Sequence, residues 1–287
     1  MLNKPYNLGK QRRIHRIFSK DNKCIVVPVD DSLISGPIDG LFDIQNKIKQ
    51  IESAKPSALM TFSGSATLFS DYSVPLILNL TASTILGQHT NKVLISSVRN
   101  AIYLGADAVA VHINISSQYE SSMLKNILSV SEECNRYGIP LMILSYPRGE
   151  GYVDGKIKDE NYLNLQKENN DAYTEKVAHC VRIAFELGAD IIKTKYTGSA
   201  GSFERVVKSA PGCPVLIAGG NMIDEDALFE MIEGCMMAGG SGVSIGRNVF
   251  NHIHSDSVIS AIKKIVFSGF SANEAKTFYL NSIKTQN

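Results

Sequence analysis

Two lysines at the carboxyl end of the apolar segment "DIIKTKY" (190–196) have the type and spacing for amine chemistry. The segment is predicted to be a buried β-strand, where an ammonium group is costly unless it is paired or neutralised. Side chains alternate along a strand, so Lys193 and Lys195 would both point into the same interior, with Lys193 deeper. Such a lysine can bind phosphate, pair with a carboxylate, or form a Schiff base. Burial and a second ammonium lower a lysine pKa, which favours Lys193 as the nucleophile and leaves Lys195 near the rim to meet an anionic substrate.

Polar and ionisable side chains also end other apolar segments. Asp30 and Asp31 follow the first segment, His112 and Asn114 end the fourth, and Tyr146 ends the fifth. Each has an ordinary structural explanation, because an aspartate often caps a helix, a tyrosine packs half-buried, and a lone histidine is satisfied in the core. The convergence of all of them at one end of the predicted strands indicates an active site.

Two glycine-containing segments follow the last two apolar runs. "AGGN" places Gly219 and Gly220 after the seventh run, and "IGRN" places Gly246 and Arg247 after the eighth. In barrels of alternating strands and helices, the corresponding loops commonly bind phosphate through backbone N–H groups. A glycine pair alone is weak evidence, but a second glycine segment with an arginine predicts a phosphorylated ligand.

The elements that must position these residues are eight short apolar segments, most of them separated by segments of helical periodicity. They are residues 24–29, 57–62, 74–80, 107–113, 139–146, 190–196, 213–219 and 241–247. Gly105, Gly188 and Gly239 precede three of them, where a left-handed residue ends a helix and turns the chain into the next strand. This alternation predicts a closed (β/α)8 TIM barrel, with an open doubly wound sheet as the alternative.

The domain organisation follows from the absence of a Pro- or Ser-rich linker, so residues 1–287 are predicted to form one domain. Residues 1–22 form a basic extension without the apolar core of a secretion signal. Residues 148–171 are polar and directly follow the fifth predicted strand. Because strand-to-helix loops lie on the catalytic face of a barrel, they predict a lid, with a disordered surface insertion as the alternative.

Net charge, cysteine spacing and the length of the apolar runs limit the classes of protein to which the chain can belong. The formal charge is +1, from 29 Lys and Arg against 28 Asp and Glu, which argues against a nucleic acid partner. The five cysteines are widely spaced without a C-x-x-C pair, so we expect reduced thiols and no metal site. No apolar run reaches the roughly 18 residues of a membrane span. A cytoplasmic enzyme or binding protein for a small molecule is therefore expected.

Five segments together resemble the archaeal-type class I aldolases, across nearly the whole chain. They are "VVPVDDSLISGPIDGL" (26–41), "YPRGEG" (146–151), "ELGADIIKTKYTGSAGSF" (186–203), "VLIAGGN" (215–221) and "GVSIGRNVFNH" (242–252). That family includes archaeal-type fructose-bisphosphate aldolases, 2-amino-3,7-dideoxy-D-threo-hept-6-ulosonate synthase, and a thiolase that degrades a phosphorylated quorum signal.

The resemblance implies roles for individual residues. Lys193 matches the Schiff-base lysine, Asp30 the carboxylate of the first strand, and Tyr146 the proton donor and acceptor. Arg148 of the same "YPRG" motif is expected to bind substrate, and the "AGG" and "GRN" segments match the phosphate grip. The resemblance further implies no metal or other cofactor and a homo-oligomer, since members of the family are often decamers.

The chain departs from the family pattern after the first strand, where Asp31 and Ser32 replace the usual His-Gly. Asp31 could contact the amino group of a substrate, but alternation along the strand favours an outward side chain that caps the next turn. The 148–171 segment is also longer than is usual in the family. These departures affect the expected identity of the substrate more than the expected type of reaction.

Three functions fit these observations. The first is cleavage or formation of a C–C bond in a phosphorylated ketose, such as fructose 1,6-bisphosphate, through a Schiff base. The second is a transaldolase-like condensation with an amino-aldehyde such as aspartate semialdehyde, on the way to an aromatic precursor. The third, from another class, is a non-catalytic barrel that binds a phosphorylated metabolite through Lys193 and Arg247.

Overall fold

The barrel in the computed structural model has eight parallel strands, and the structure describes residues 7–153, 156–159 and 162–284. The strands are β1 Cys24–Pro28, β2 Ala58–Thr61, β3 Leu76–Asn79, β4 Ala108–Ile115, β5 Leu141–Pro147, β6 Ile191–Thr194, β7 Val215–Ala218 and β8 Gly242–Ser244. The first and last strands pair, with Ile25 opposite Val243, so the sheet is closed. The predicted closed barrel is confirmed, and the open doubly wound sheet is wrong.

Alternation along each strand separates two apolar layers. In β1, Cys24 and Val26 belong to a cluster inside the barrel. Ile25 and Val27 belong to a larger cluster that also contains residues of the surrounding helices. Both faces are buried, which explains why the strands read as continuous apolar runs rather than as alternating ones.

Helices surround the barrel, and no described helix is long and apolar enough to cross a membrane. They are α1 Leu8–Ile17, α2 Asp31–Ser35, α3 Ile44–Ser53, α4 Ser63–Ala66, α5 Val98–Tyr103, α6 Glu120–Tyr137, α7 Tyr162–Glu168, α8 Asn170–Glu186, α9 Ala200–Lys208, α10 Glu225–Met237, α11 Arg247–Phe250, α12 Ser255–Ser268 and α13 Ala272–Lys284. Gly105, Gly188 and Gly239 have φ values of 77°, 87° and 82°, so each takes the predicted left-handed conformation.

Helix α1 covers the amino-terminal end of the barrel. Ile17 and Phe18 are buried and pack against the interior cluster. Lys10 Nζ lies 2.7 Å from Asp190 Oδ2, and Arg16 lies 2.6 Å from Asp107 Oδ1. Within the predicted extension of residues 1–22, the described part therefore closes the bottom of the barrel, and residues 1–6 lie outside the described residues.

Two small antiparallel hairpins lie outside the barrel sheet. Thr81–Ala82 pairs with Val93–Leu94, and Glu150–Val153 pairs with Lys156–Asp159. The second hairpin, α7 and the start of α8 occupy most of the predicted 148–171 loop, so that stretch is more regular than its polar composition suggested. Residues 154–155 and 160–161 lie outside the described residues, and the lid itself stays a prediction.

The cysteines are packing residues. All five are buried thiols, and none forms a disulfide. Burial raises the pKa of Cys134 and of Cys235 to about 12, which keeps both as inert thiols.

Candidate active site

A cavity of about 320 Å³ lies at the carboxyl ends of the barrel strands. Its lining includes His112 and ten other residues that the sequence predicted: Asp30, Asp31, Tyr146, Arg148, Lys193, Lys195, Gly219, Gly220, Gly246 and Arg247. Asn114, which also ends the fourth apolar run, does not line the cavity but hydrogen-bonds His112. The closed sheet brings them together, since parallel strands in a barrel end at the same face.

Lys193 lies on β6 with its side chain inside the barrel. It is 8% exposed and sits in register between Leu144 of β5 and Leu216 of β7. Burial lowers the pKa of Lys193 to about 8, and Arg247 acts in the same direction, while Asp30 and Asp31 oppose the shift. The lowered pKa increases the fraction of neutral amine near physiological pH, as a nucleophile requires.

Lys195 lies just beyond the end of β6, nearer the mouth, and is half-buried. Burial, Arg148, Arg247 and Lys193 lower its pKa to about 8 as well. Its Nζ lies 5.8 Å from the centroid of the Tyr146 ring. The pKa does not distinguish the two lysines, but depth does, because Lys193 is the one enclosed by apolar neighbours.

Asp30 follows β1 and is held by a neighbouring amide. Asn79 Nδ2, at the end of β3, donates a hydrogen bond of 2.8 Å to Asp30 Oδ2. Asn79 Oδ1 accepts from the Thr81 backbone N–H at 3.1 Å, which fixes the orientation of the amide. Burial raises the pKa of Asp30, while the charge of Lys193 and the hydrogen bond from Asn79 oppose that rise. Asp30 is thus a carboxyl group that can exchange a proton beside Lys193.

Tyr146 ends β5 and is 8% exposed. Its ring packs edge-to-face on His112, with centroids 5.0 Å apart. Burial raises the pKa of Tyr146 above its ordinary value, so the side chain remains a phenol that can donate a proton.

His112 is a neutral imidazole with a defined tautomer. Asn114 Nδ2 donates to the Thr90 carbonyl at 2.8 Å, so Asn114 Oδ1 is free to accept from His112 Nε2 at 3.0 Å. Burial, together with Lys92, Arg148 and Lys193, lowers the pKa of His112 well below its usual value. The proton therefore sits on Nε2.

The loops after β7 and β8 form one wall of the cavity. Gly220 has φ 67°, which is a left-handed conformation. A Cβ atom added to Gly220 would lie 3.5 Å from Lys195 Nζ. Asn248 Nδ2 donates to the carbonyls of Gly219 and Asn221 at 3.0 and 3.1 Å, which ties the two loops together. Arg247 donates to Asn221 Oδ1 at 2.8 Å. We call Gly219, Gly220, Gly246 and Arg247 the phosphate wall, after the role that the sequence predicts for them.

The expectation that Asp31 points outward is wrong. Asp31 lines the cavity, and its Oδ2 lies 3.5 Å from Arg247 Nε. Alternation does not apply to it because β1 ends at Pro28 and Asp31 is the first residue of α2.

Among the residues that line the cavity, sequence reasoning missed Asn79, His89 and Lys92. Asn79 could have been found, since it is a polar residue at the carboxyl end of an apolar strand. Lys92 could not, because it follows the polar stretch "GQHTN" that predicts an exposed loop.

Comparison with known proteins identifies the family of this chain. A family model described as DeoC/LacD family aldolase matches residues 24–252. A 2-amino-3,7-dideoxy-D-threo-hept-6-ulosonate synthase of Halobacterium salinarum is 36% identical over 261 residues, 90% of this chain and 91% of that protein.

Two solved structures agree with these findings. A crystal structure of an archaeal fructose 1,6-bisphosphate aldolase has a TM-score of 0.79 at 31% identity, covering 92% of this chain and 100% of that one. A Schiff-base-forming fructose-1,6-bisphosphate aldolase has a TM-score of 0.78 at 30% identity, covering 91% of this chain and 100% of that one. The resemblance read from the sequence is confirmed, and the chain belongs to the DeoC/LacD family of aldolases.

Proposed function

We propose that the protein makes or breaks a C–C bond in a phosphorylated ketose through an iminium ion on Lys193. The observation that carries this proposal is a buried lysine, with its pKa lowered to about 8, that lines the cavity of an aldolase barrel. Asp30 and Tyr146 line the same cavity and supply the two proton-transfer groups that the chemistry needs.

Iminium formation is the first stage. The neutral Nζ of Lys193 attacks the ketone carbon, the C–O double bond becomes a single bond, and a proton transfer gives a carbinolamine. Asp30 in its acid form protonates the hydroxyl group, which leaves as water, and the nitrogen lone pair closes the C=N bond. The raised pKa of Asp30 favours the acid form that this step uses.

Bond making or breaking is the second stage, with the iminium ion as the electron sink. In condensation, the Asp30 carboxylate that dehydration leaves ionised takes a proton from the adjacent carbon, which gives an enamine, and the enamine carbon attacks the aldehyde. The Tyr146 phenol then donates its proton to the new alkoxide, and the raised pKa of Tyr146 keeps that proton available. In cleavage the same transfer runs in reverse.

The phosphate wall supplies binding energy away from the reacting carbon. Its backbone N–H groups and the Arg247 guanidinium would hold the phosphate, with Lys195 as a second cation at the rim. Both lysines and the wall line one cavity, so a held phosphate positions the carbonyl against Lys193.

A second candidate is transfer to an amino-aldehyde such as aspartate semialdehyde. The presence of Asp31 in the cavity favours it, since this carboxylate can pair with an ammonium group. The Halobacterium relative, named as the synthase of an amino ulosonate, supports the same choice.

Borohydride reduction tests the proposal against a non-catalytic barrel that only binds phosphorylated metabolites. Incubation with dihydroxyacetone phosphate or fructose 1,6-bisphosphate, followed by borohydride, should attach one sugar phosphate irreversibly as a secondary amine and abolish activity. Saturable binding of the same ketose phosphates without any covalent mass would instead support the binding protein.

A further inference from the structure

His112 lines the cavity but has no role in the proposed mechanism. The residue lies on β4, and its ring is half-buried. Tyr146 packs edge-to-face against the ring, and Asn114 Oδ1 lies 3.0 Å from His112 Nε2. The Thr81 hydroxyl accepts from the His112 backbone N–H at 2.8 Å. These contacts hold the ring in one orientation, so each of its nitrogens has a defined direction.

The two ring nitrogens of His112 differ in what they can do. The hydrogen bond to Asn114 places the proton on Nε2, so Nδ1 carries a lone pair and can only accept. Among the groups that the structure describes, none donates a hydrogen bond to His112 Nδ1. This atom is also not enclosed, in contrast to the buried Nδ1 of His89. A hydrogen-bond acceptor on β4 therefore faces the open cavity.

The charges around His112 limit the ligand group that its Nδ1 can bind. Burial lowers the pKa of His112 well below its usual value, and Lys92, Arg148 and Lys193 act in the same direction. The ring is therefore neutral, and the same three cations disfavour a further positive charge beside it. The lone pair of Nδ1 disfavours a phosphate or carboxylate oxygen. The group that fits is a neutral donor, which in a sugar phosphate is a hydroxyl.

Strand register places His112 near the reacting carbon. His112 lies opposite Leu144 of β5, and Leu144 lies opposite Lys193 of β6. Neighbouring strands are about 4.8 Å apart, so the backbones of His112 and Lys193 are roughly 10 Å apart along one hydrogen-bonded row. The side chains of both residues line the cavity between them. A short carbon chain bonded to Lys193 Nζ can therefore present a hydroxyl to His112.

Strand order indicates which hydroxyl this is. The strands run β4, β5, β6, β7, β8 around the barrel, so Lys193 on β6 lies between His112 on β4 and the phosphate wall after β7 and β8. A ketone phosphate held at the phosphate wall and bonded to Lys193 would direct its remaining carbon toward His112. In dihydroxyacetone phosphate that carbon carries the free hydroxyl, and it is also the carbon that loses a proton to form the enamine.

We propose that His112 Nδ1 accepts a hydrogen bond from the hydroxyl on the carbon next to the iminium carbon. The inference rests on the proposed aldolase function and specifies its donor substrate as a phosphorylated ketone with that hydroxyl. Holding the hydroxyl fixes the rotation about the bond between the two carbons. The C–H bond that Asp30 breaks then keeps one orientation, and the enamine forms with one geometry.

The test compares dihydroxyacetone phosphate with acetol phosphate, which has a methyl group in place of the hydroxymethyl group. The initial rate of borohydride trapping is measured against the concentration of each ketone, because trapping needs no acceptor aldehyde. The enzymes are the wild type, His112→Phe, His112→Asn and His179→Phe. Phenylalanine removes both nitrogens and keeps the ring, whereas asparagine keeps an acceptor near the position of Nδ1. His179 is exposed on α8 and provides the matched control.

We expect the wild type to trap dihydroxyacetone phosphate more efficiently than acetol phosphate at subsaturating concentrations. His112→Phe should reduce that preference by about 10-fold, the size of a lost buried hydrogen bond. His112→Asn should recover part of the preference, and His179→Phe should keep the wild-type ratio. Because the ratio is compared between enzymes, the different intrinsic reactivities of the two ketones cancel.

Equal losses with both ketones in His112→Phe would overturn the assignment, as would an equal or reversed preference in the wild type. Should His112→Phe fail to fold, His112→Gln carries the same prediction, since it keeps a donor for Asn114 and lacks Nδ1. These results leave the aldolase mechanism standing if the wild type still traps a ketone phosphate. Failure of the wild type to trap either ketone would instead defeat the proposed function itself.

Discussion

Asn79 Nδ2 donates a hydrogen bond of 2.8 Å to Asp30 Oδ2, joining the ends of β3 and β1 beside Lys193. The same amide accepts from the Thr81 backbone, so it can present only its donor to Asp30. The bond stabilises the ionised carboxylate and holds the pKa of Asp30 below the value that burial alone would give. Asn79 therefore controls how readily Asp30 accepts and releases a proton.

Asn79→Leu should raise the pKa of Asp30, because the variant removes the donor that favours the ionised form. Since dehydration of the carbinolamine uses the acid form of Asp30, the fall in kcat/KM that accompanies ionisation of Asp30 should move to higher pH. The pH dependence of kcat/KM in the two enzymes measures the displacement. Profiles that coincide, with KM alone increased, would show that Asn79 acts only in binding.

Lys193 gives the rising limb of the pH profile. Only the neutral amine attacks the ketone, and the pKa of Lys193 is lowered from 10.5 to about 8. The rate of borohydride trapping at a fixed, subsaturating ketose phosphate concentration should rise with pH and level off above about pH 8. A rate that keeps rising to pH 10 would mean that the lysine retains an ordinary pKa and lacks the proposed activation.

Tyr146→Phe removes the phenolic proton and almost no volume from a residue that is 8% exposed. We expect kcat for C–C bond formation to fall by about 10²- to 10⁴-fold, the usual contribution of a general acid or base. Iminium trapping at Lys193 should persist, because that stage uses Asp30. Trapping lost together with turnover would place Tyr146 in iminium formation instead.

Asp31→His restores the residue that is usual in the family and removes the carboxylate 3.5 Å from Arg247. If Asp31 binds an amino group, kcat/KM should fall with aspartate semialdehyde and stay within about threefold with succinate semialdehyde, which lacks the amine. A single negative charge near the surface is worth about 1 kcal/mol, or roughly fivefold. Equal effects on both aldehydes would assign Asp31 to Arg247 rather than to the acceptor.

Much of the fold was predictable because the physical pattern is strong. Eight buried strands require eight apolar runs, and the left-handed glycines that end helices mark three of the strand starts. Strand parity also predicted that Lys193 and Lys195 share the barrel interior, and both line the cavity. Local periodicity carries this information, so no knowledge of distant contacts was needed.

The rest depends on contacts between distant segments. Lys92 follows a polar stretch, and only the packing of that loop on β4 encloses its ammonium group. Asp31 faces the cavity because β1 stops at Pro28 and α2 begins, a boundary that alternation does not reveal. The hairpin of Glu150–Val153 and Lys156–Asp159 was missed because polar strands lack the apolar pattern of buried ones.

Lys193, and not Lys195, is the proposed site of the covalent intermediate. The most direct measurement is tandem mass spectrometry of peptides from enzyme that was reduced with borohydride in the presence of dihydroxyacetone phosphate. The proposed mechanism predicts one adduct, on Lys193. The adduct should be absent in Lys193→Met and retained in Lys195→Met. Burial lowers the pKa of both lysines to about 8, so the pKa alone does not predict which lysine reacts. An adduct on Lys195, or an unmodified chain from enzyme that turns over the same ketose phosphate, would contradict it.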